Sequence, residues 1–324
     1  MKTALRRFLP YLLLMVILAG GLLVWVQRDE LRDWWLLRSY DPSIAIAALA
    51  TDTSMTPYAE RLFYVNYPRL DGKAALNRDC SDLAREVAVL GCFKGDRQGI
   101  FIYDVADPRL HGIEQVTAAH EMLHQAYERL DPGKRERING LLENYYTHDL
   151  TDQSVKDKVE GYKRTEPGEL YNEMHSIFGS EIATLSPELE EYYKQYFTDR
   201  QKVVSFRASS QAAFDEYFQQ ITAYEARLKE LLRLIEEAQT SLGTQLAVIN
   251  QKKAILEGLL AANNVEAYNA GVPEVQNLVN AYNSRLKVVN AQVEEYKRIL
   301  AERNALAVQA NELSKALDSR LTPQ

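Results

Sequence analysis

The chain has 324 residues, an ordinary apolar content of 46% and a formal net charge of −7. That length suffices for one or two domains with a real core. With no long basic run, nucleic acid is not expected as a main partner, because phosphate binding needs clustered Lys and Arg.

The first elements concern the N-terminus. Residues 1–8 carry Lys2, Arg6 and Arg7, and residues 9–26 carry no charge. As a helix, that apolar run would be roughly 27 Å long, just enough to span a bilayer. The basic flank predicts a cytoplasmic tail over 1–8, a transmembrane anchor over 9–26, and everything beyond outside the cytoplasm. A cleaved signal peptide is the rival reading, with Ala19-Gly20-Gly21 as its cleavage site. Either way, the expected location is a cell membrane with an extracytoplasmic body. An oxidising compartment favours a Cys80–Cys92 disulfide over two buried thiols. The pair contains no Cys-x-x-Cys and cannot form a zinc knuckle by itself.

Residues 27–55 form a juxtamembrane segment, with a short helix over Ser43–Thr51. Next comes a domain over 56–202. "LFYVNY" (62–67), "EVAVLGCF" (86–93) and "GIFIYDV" (99–105) read as strands, the last two as a hairpin across a polar Gly-Asp turn. From Ile113, apolar residues at Val116, Leu123, Tyr127 and Leu130 keep helical spacing until Asp131-Pro132-Gly133 stops them. Further helices follow. One takes Thr165 as N-cap and Pro167 in its first turn, and another takes Ser186 as cap and Pro187 as first residue.

From about Val203 the texture changes. Ile221, Leu228, Ile235, Leu242, Ile249 and Leu256 recur every seven residues. Tyr224, Leu231, Ala238, Leu246 and Leu260 supply the other seam position. A breaker, "AANNVEAYNAGVPE", separates this arm from a second one. There Val275, Tyr282, Val289 and Tyr296 recur every seven, with Val279, Leu286, Val293 and Leu300 between them. Two heptad arms around a central breaker predict an antiparallel coiled-coil hairpin over 203–324, a possible docking surface for a protein partner. The alternatives are two helices of a compact bundle and one half of an intermolecular coil.

The chemistry sits in the helix from Ile113. His120-Glu121-Met122-Leu123-His124 is His-Glu-x-x-His. Residues four apart share a helix face, so both imidazoles can reach one metal. Glu121 lies about 100° round the helix, where it can meet a bound water without ligating. This spacing suits Zn2+ with Glu121 as general base. The bland alternative is two ordinary histidines on an amphipathic helix.

A third ligand must come from downstream, where His148, Glu169, Glu173, His175 and Glu181 are candidates. Asn172-Glu173-Met174-His175-Ser176 resembles the second motif of the gluzincin metallopeptidases. Thermolysin-like members pair His-Glu-x-x-His with Asn-Glu-x-x-Ser-Asp. The resemblance covers about 75 residues and departs at the final Asp, where this chain has Ile177. It implies an α+β, zincin-like domain with a small antiparallel sheet plus helices, and zinc held by His120, His124 and Glu173, with Glu181 and then His175 as alternative third ligands. Loss of the Asp leaves Glu181, Glu169 or a backbone carbonyl to orient His120. His175, Tyr171 and His148 are the candidate transition-state donors.

The resulting expectation is a membrane-anchored zinc metallopeptidase acting on a protein or peptide substrate, with a coiled-coil appendage. A membrane-tethered scaffold with a structural or vestigial metal site is the alternative from another class. A zinc amidase acting on cell-wall peptides would use the same chemistry.

Overall fold

The structure is a computed structural model that describes Met15, Leu18, Gly20, Gly21 and residues 27–81 and 89–321. The described chain is mostly helical, with one small sheet and a long C-terminal helix pair. It divides into two units. The first runs to Gln211 and takes back the chain from Ala316, and the second is Ala212–Lys315.

In the first unit, helix α1 (Arg28–Leu37) precedes α2 (Ile44–Asp52) and α3 (Pro57–Tyr64). Ser43 caps α2 by accepting from the Ile46 N–H, as its position before an apolar run predicts. Asp33 is buried on α1. It accepts from Arg97 at 3.1 Å and from Arg129 at 2.9 Å, which ties α1 to two later parts of the unit.

Among the described residues, no helix is long and apolar enough to cross a membrane. That finding overturns the expected single-pass anchor and, with it, the membrane localisation. Of residues 9–26, all but Met15, Leu18, Gly20 and Gly21 lie outside the described residues. The helix that follows carries Asp29, Glu30 and Asp33 and is docked on the domain by ion pairs.

The strand expected over 62–67 is a helix instead. Thr56 accepts from the Ala59 N–H, Pro57 takes the first helical position, and Ala59, Leu62 and Phe63 are buried at helical spacing. Cap and periodicity together override the β-rich composition. The expected 86–93 strand is described only from Val89, and its regular part is β2 (Gly91–Lys94). It pairs antiparallel with β3 (Gly99–Tyr103), which makes the anticipated hairpin. The sheet is not purely antiparallel, however. The short strand β1 (Arg69–Asp71) pairs parallel with β3, giving the order β1-β3-β2. Helix α4 (Lys73–Asp79) follows β1, and Cys80 just beyond it is disulfide-bonded to Cys92 on β2.

Helices α5 (Ile113–Glu128), α6 (Pro132–His148), α7 (Gln153–Thr165), α8 (Leu170–Glu181) and α9 (Pro187–Tyr193) complete the body. Thr165 is the last residue of α7 rather than the cap of α8, whose N-cap position is Glu169. Pro167 falls in the break between them, consistent with the restriction that proline places on the residue before it. Ser186 caps α9 with Pro187 at its first position, as the sequence predicts.

The core joins Ile46 and Leu49 of α2, Phe63 of α3, Ile100 and Ile102 of β3, Met122 and Leu123 of α5, and Ile177 and Phe178 of α8. Gly179 lies where α8 packs against Leu123 of α5. A Cβ there would stand 2.5 Å from Leu123 Cδ1 and 2.6 Å from Tyr193 Cε1. Only a residue without a side chain lets the two helices approach this closely.

The second unit comprises most of α10 (Arg200–Ala261) and α11 (Val265–Leu317). The turn between them is shorter than the predicted breaker. It occupies Ala262–Asn264, with Asn263 in the left-handed region at φ 57°. Pro273 lies inside α11. Ile235, Ala238, Leu242 and Val289 form a core shared by the two arms. Leu246 and Leu260, expected in the seam, are exposed. The seam stays in register at this level and takes Gln245 inward, one position before Leu246.

Candidate metal centre

Helix α5 presents His120 and His124 on one face, and α8 brings Glu173 against them. The two imidazole Nε2 atoms are 3.1 Å apart. Glu173 Oε2 lies 3.7 Å from His120 Nε2, and Glu173 Oε1 lies 3.6 Å from His124 Nε2. These three are the one group of potential metal ligands found among the described residues. Tetrahedral donors on bonds of about 2.0–2.1 Å would stand about 3.3 Å apart, so the spacing fits Zn2+ to within a few tenths of an ångström. The buried Oε2 of Glu173 has no hydrogen-bond partner, an omission that a cation would repair.

The tautomer of His124 follows from its neighbours. Its Nδ1 is 2.9 Å from Asn172 Oδ1, and the Asn172 amide donates in turn to Glu169 Oε2 at 3.1 Å. Because the amide nitrogen faces Glu169, Oδ1 must accept from Nδ1–H, which leaves a lone pair on Nε2 toward Glu173. Burial and the neighbouring His120 keep the ring below its ordinary pKa. Burial also disfavours charge on His120, but Glu173 and Glu121 outweigh it and raise that pKa. Glu173 is held below the ordinary carboxylate range: its burial is outweighed by the two histidines.

Glu121 is buried beside the cluster under β2. Burial pushes its carboxyl up to about 7, with His120 pulling down and Glu173 pushing up, while the Phe93 N–H bonds the carboxylate. That value sits where a general base at neutral pH is most effective. Gly91 makes room for the group: a Cβ there would lie 2.4 Å from Thr117 Cγ2 and 2.9 Å from Glu121 Oε1. The Phe93 ring stacks on His124 at 6.2 Å between centroids, so β2 forms one wall of the site.

The other sequence candidates are occupied elsewhere. Glu181 accepts from Lys158 Nζ at 2.6 Å and from Arg207 Nε at 2.8 Å, and it lies outside the group formed by His120, His124 and Glu173. His175 is fully buried among Tyr127, Tyr192, Tyr193 and Tyr196, and its Nε2 is 2.9 Å from the Tyr192 hydroxyl. Burial, and then the nearby His124, lower its pKa to about 3. His148 bonds the Asn144 carbonyl of its own helix, and Tyr171 donates to Glu143. Glu169 acts through Asn172 on His124, not on His120.

Sequence reading missed Tyr162. This residue of α7 lies against Glu173, and burial followed by the Glu173 charge raises its phenol well above the ordinary range. It stands eleven residues before Glu173 on a polar helix, with no spacing rule linking the two.

No protein-family model, characterised relative or solved structure matches this chain.

Proposed function

We propose that the first unit is a zinc-dependent hydrolase of peptide bonds, with the zincin-like arrangement that the sequence motifs imply. The supporting observation is the convergence of His120, His124 and Glu173 at ligand spacing with Glu121 beside them. The resemblance to gluzincins rests on the same residues. His120, His124 and Glu173 would hold the ion, leaving a fourth position for water or substrate. Bound zinc supplies a water of near-neutral pKa and polarises a carbonyl oxygen.

The chain's own groups do the rest. Glu121 takes a proton at its carboxylate and returns it to the departing amine. Asn172 and Glu169 hold His124 in the Nδ1–H form. The phenol of Tyr162, kept protonated, bonds the Glu173 carboxylate and so steadies that group as a ligand. Phe93 screens the His124 side of the site from water.

The test is hydrolysis of a fluorogenic peptide library by the zinc-loaded full chain and by Glu121→Gln. The variant should keep its zinc and lose activity by at least about a hundredfold. Undiminished hydrolysis in Glu121→Gln would remove the general-base assignment.

A further inference from the structure

The coiled-coil unit carries an apolar flank besides its seam. Taking Ile221, Leu228, Ile235 and Leu242 as position a, the residues four further on are position e. On α10, Phe218, Leu232, Leu246 and Leu260 all fall at e, fourteen residues apart. They are 59%, 46%, 43% and 54% exposed. Taking Val275, Tyr282, Val289 and Tyr296 as a on α11, Val279, Leu286, Val293 and Leu300 are its e positions. Leu286 and Leu300 are exposed, and the two valines are half-buried, Val293 against the shared core of the arms.

In an antiparallel pair, e faces e and g faces g, so both rows line the same side of the hairpin. The g side is closed in the ordinary way, by Arg227 of α10 bonding Glu295 of α11 at 2.7 Å. The e side carries one such pair, Glu225 with Arg303 of the other arm, and otherwise has leucines where a solvated coil carries charge. Moreover, α10 has no charged residue between Glu237 and Lys252, and α11 has none between Glu274 and Arg285.

The pattern identifies its own partner. Around Gln239 the e row reads symmetrically. Leu232 and Leu246 lie seven residues to either side, Glu225 and Lys253 fourteen, and Phe218 and Leu260 twenty-one. A second copy turned end over end about Gln239 therefore sets Leu232 against Leu246, Phe218 against Leu260 and Glu225 against Lys253. Apolar meets apolar, and the one charged pair is of opposite sign. The e row of α11 is symmetric in the same way about Leu286, with Val279 and Val293 seven residues to either side. Self-complementarity about a two-fold axis is the signature of an isologous contact. The ridge from Phe218 to Leu260 is about 63 Å long at ~1.5 Å per residue. Two helices wide, it offers on the order of 1,000 Å² per copy, the size of a stable interface.

We infer that the e flank of the hairpin binds a second copy of this chain, forming an antiparallel four-helix bundle with its two-fold axis at Gln239 and Leu286. The contact is independent of the metal centre.

Sedimentation equilibrium of the full chain should give a dimer. Leu232→Glu/Leu246→Glu should weaken it at least a hundredfold with unchanged helicity by circular dichroism. Gln239→Cys, next to its own symmetry mate, should oxidise to a covalent dimer, whereas Thr222→Cys, seventeen residues from the axis on the same arm, should not. A monomer at 100 µM (about the top of a practical concentration range) would overturn the inference, as would a dimer indifferent to the double substitution. A dimer that the double substitution dissociates but that fails to cross-link through Gln239→Cys would overturn the two-fold axis.

Discussion

Replacing Asn172 by Leu should separate metal affinity from fold. The substitution keeps the branched shape and heavy-atom count, and removes the acceptor that fixes His124. In the structure, His124 Nδ1 is 2.9 Å from Asn172 Oδ1, and His124 is buried. A buried donor left without a partner costs about 1–3 kcal/mol. At about 1.4 kcal/mol per decade, that is roughly a tenfold to hundredfold loss of affinity, the range seen when groups behind a ligand are removed. Asn172→Asp, which keeps an acceptor at the same place, should fall much closer to the native value. The assay is zinc affinity by competition with a chromophoric chelator, run beside thermal unfolding of the metal-free proteins. Native-like zinc affinity in Asn172→Leu, within a factor of two or three, would refute the claim that the Glu169–Asn172–His124 chain prepares the ligand.

Other consequences follow from the same packing. Gly179→Ala forces a Cβ to within 2.6 Å of both Leu123 and Tyr193, and should destabilise the first unit by about 1–3 kcal/mol. Its melting temperature should drop by several degrees in calorimetry, and an unshifted melt would mean that the α5–α8 contact is looser than described. His175, with its folded pKa lowered to about 3 against an ordinary 6.5, is neutral when folded and protonated when unfolded at pH 5. Its contribution is therefore complete above pH 6.5 and is lost as the pH falls toward 3. It amounts to about 2 kcal/mol between pH 7 and pH 5 in urea unfolding of the metal-free chain. His175→Gln should flatten that slope, and an identical slope in the variant would show that other groups govern acid stability.

Helix α5 was readable from its 3.6-residue period, and the side that carries the candidate site from His120 and His124 four residues apart. Glu173 was singled out by the resemblance of Asn172-Glu173-Met174-His175-Ser176 to the second gluzincin motif. Glu181, and after it His175, stood as the alternative third ligands. Their dismissal depends on partners that no local pattern reveals: Lys158 and Arg207 for Glu181, and four tyrosines for His175. Tyr162 was missed for the same reason, as was β1, whose three residues are defined by pairing with β3 and not by their own pattern. The helix α3 was legible in principle from Thr56-Pro57, but β-rich side chains hid it. In the second arm Leu286 and Leu300 looked like seam because they recur at heptad spacing, yet both are exposed, whereas Val293 of the same row packs against the shared core as expected. Only burial separates the seam from the flank.

The central claim is that His120, His124 and Glu173 hold one zinc ion. The direct measurement is metal stoichiometry and affinity for the purified full chain, His120→Ala, Glu173→Ala and Glu181→Gln, by mass spectrometry and chelator competition. The account predicts one zinc per native chain, its loss or sharp weakening in His120→Ala and Glu173→Ala, and near-native binding in Glu181→Gln. A native chain that takes up no zinc at neutral pH, or a Glu173→Ala variant that binds it as tightly as the native protein, would contradict it.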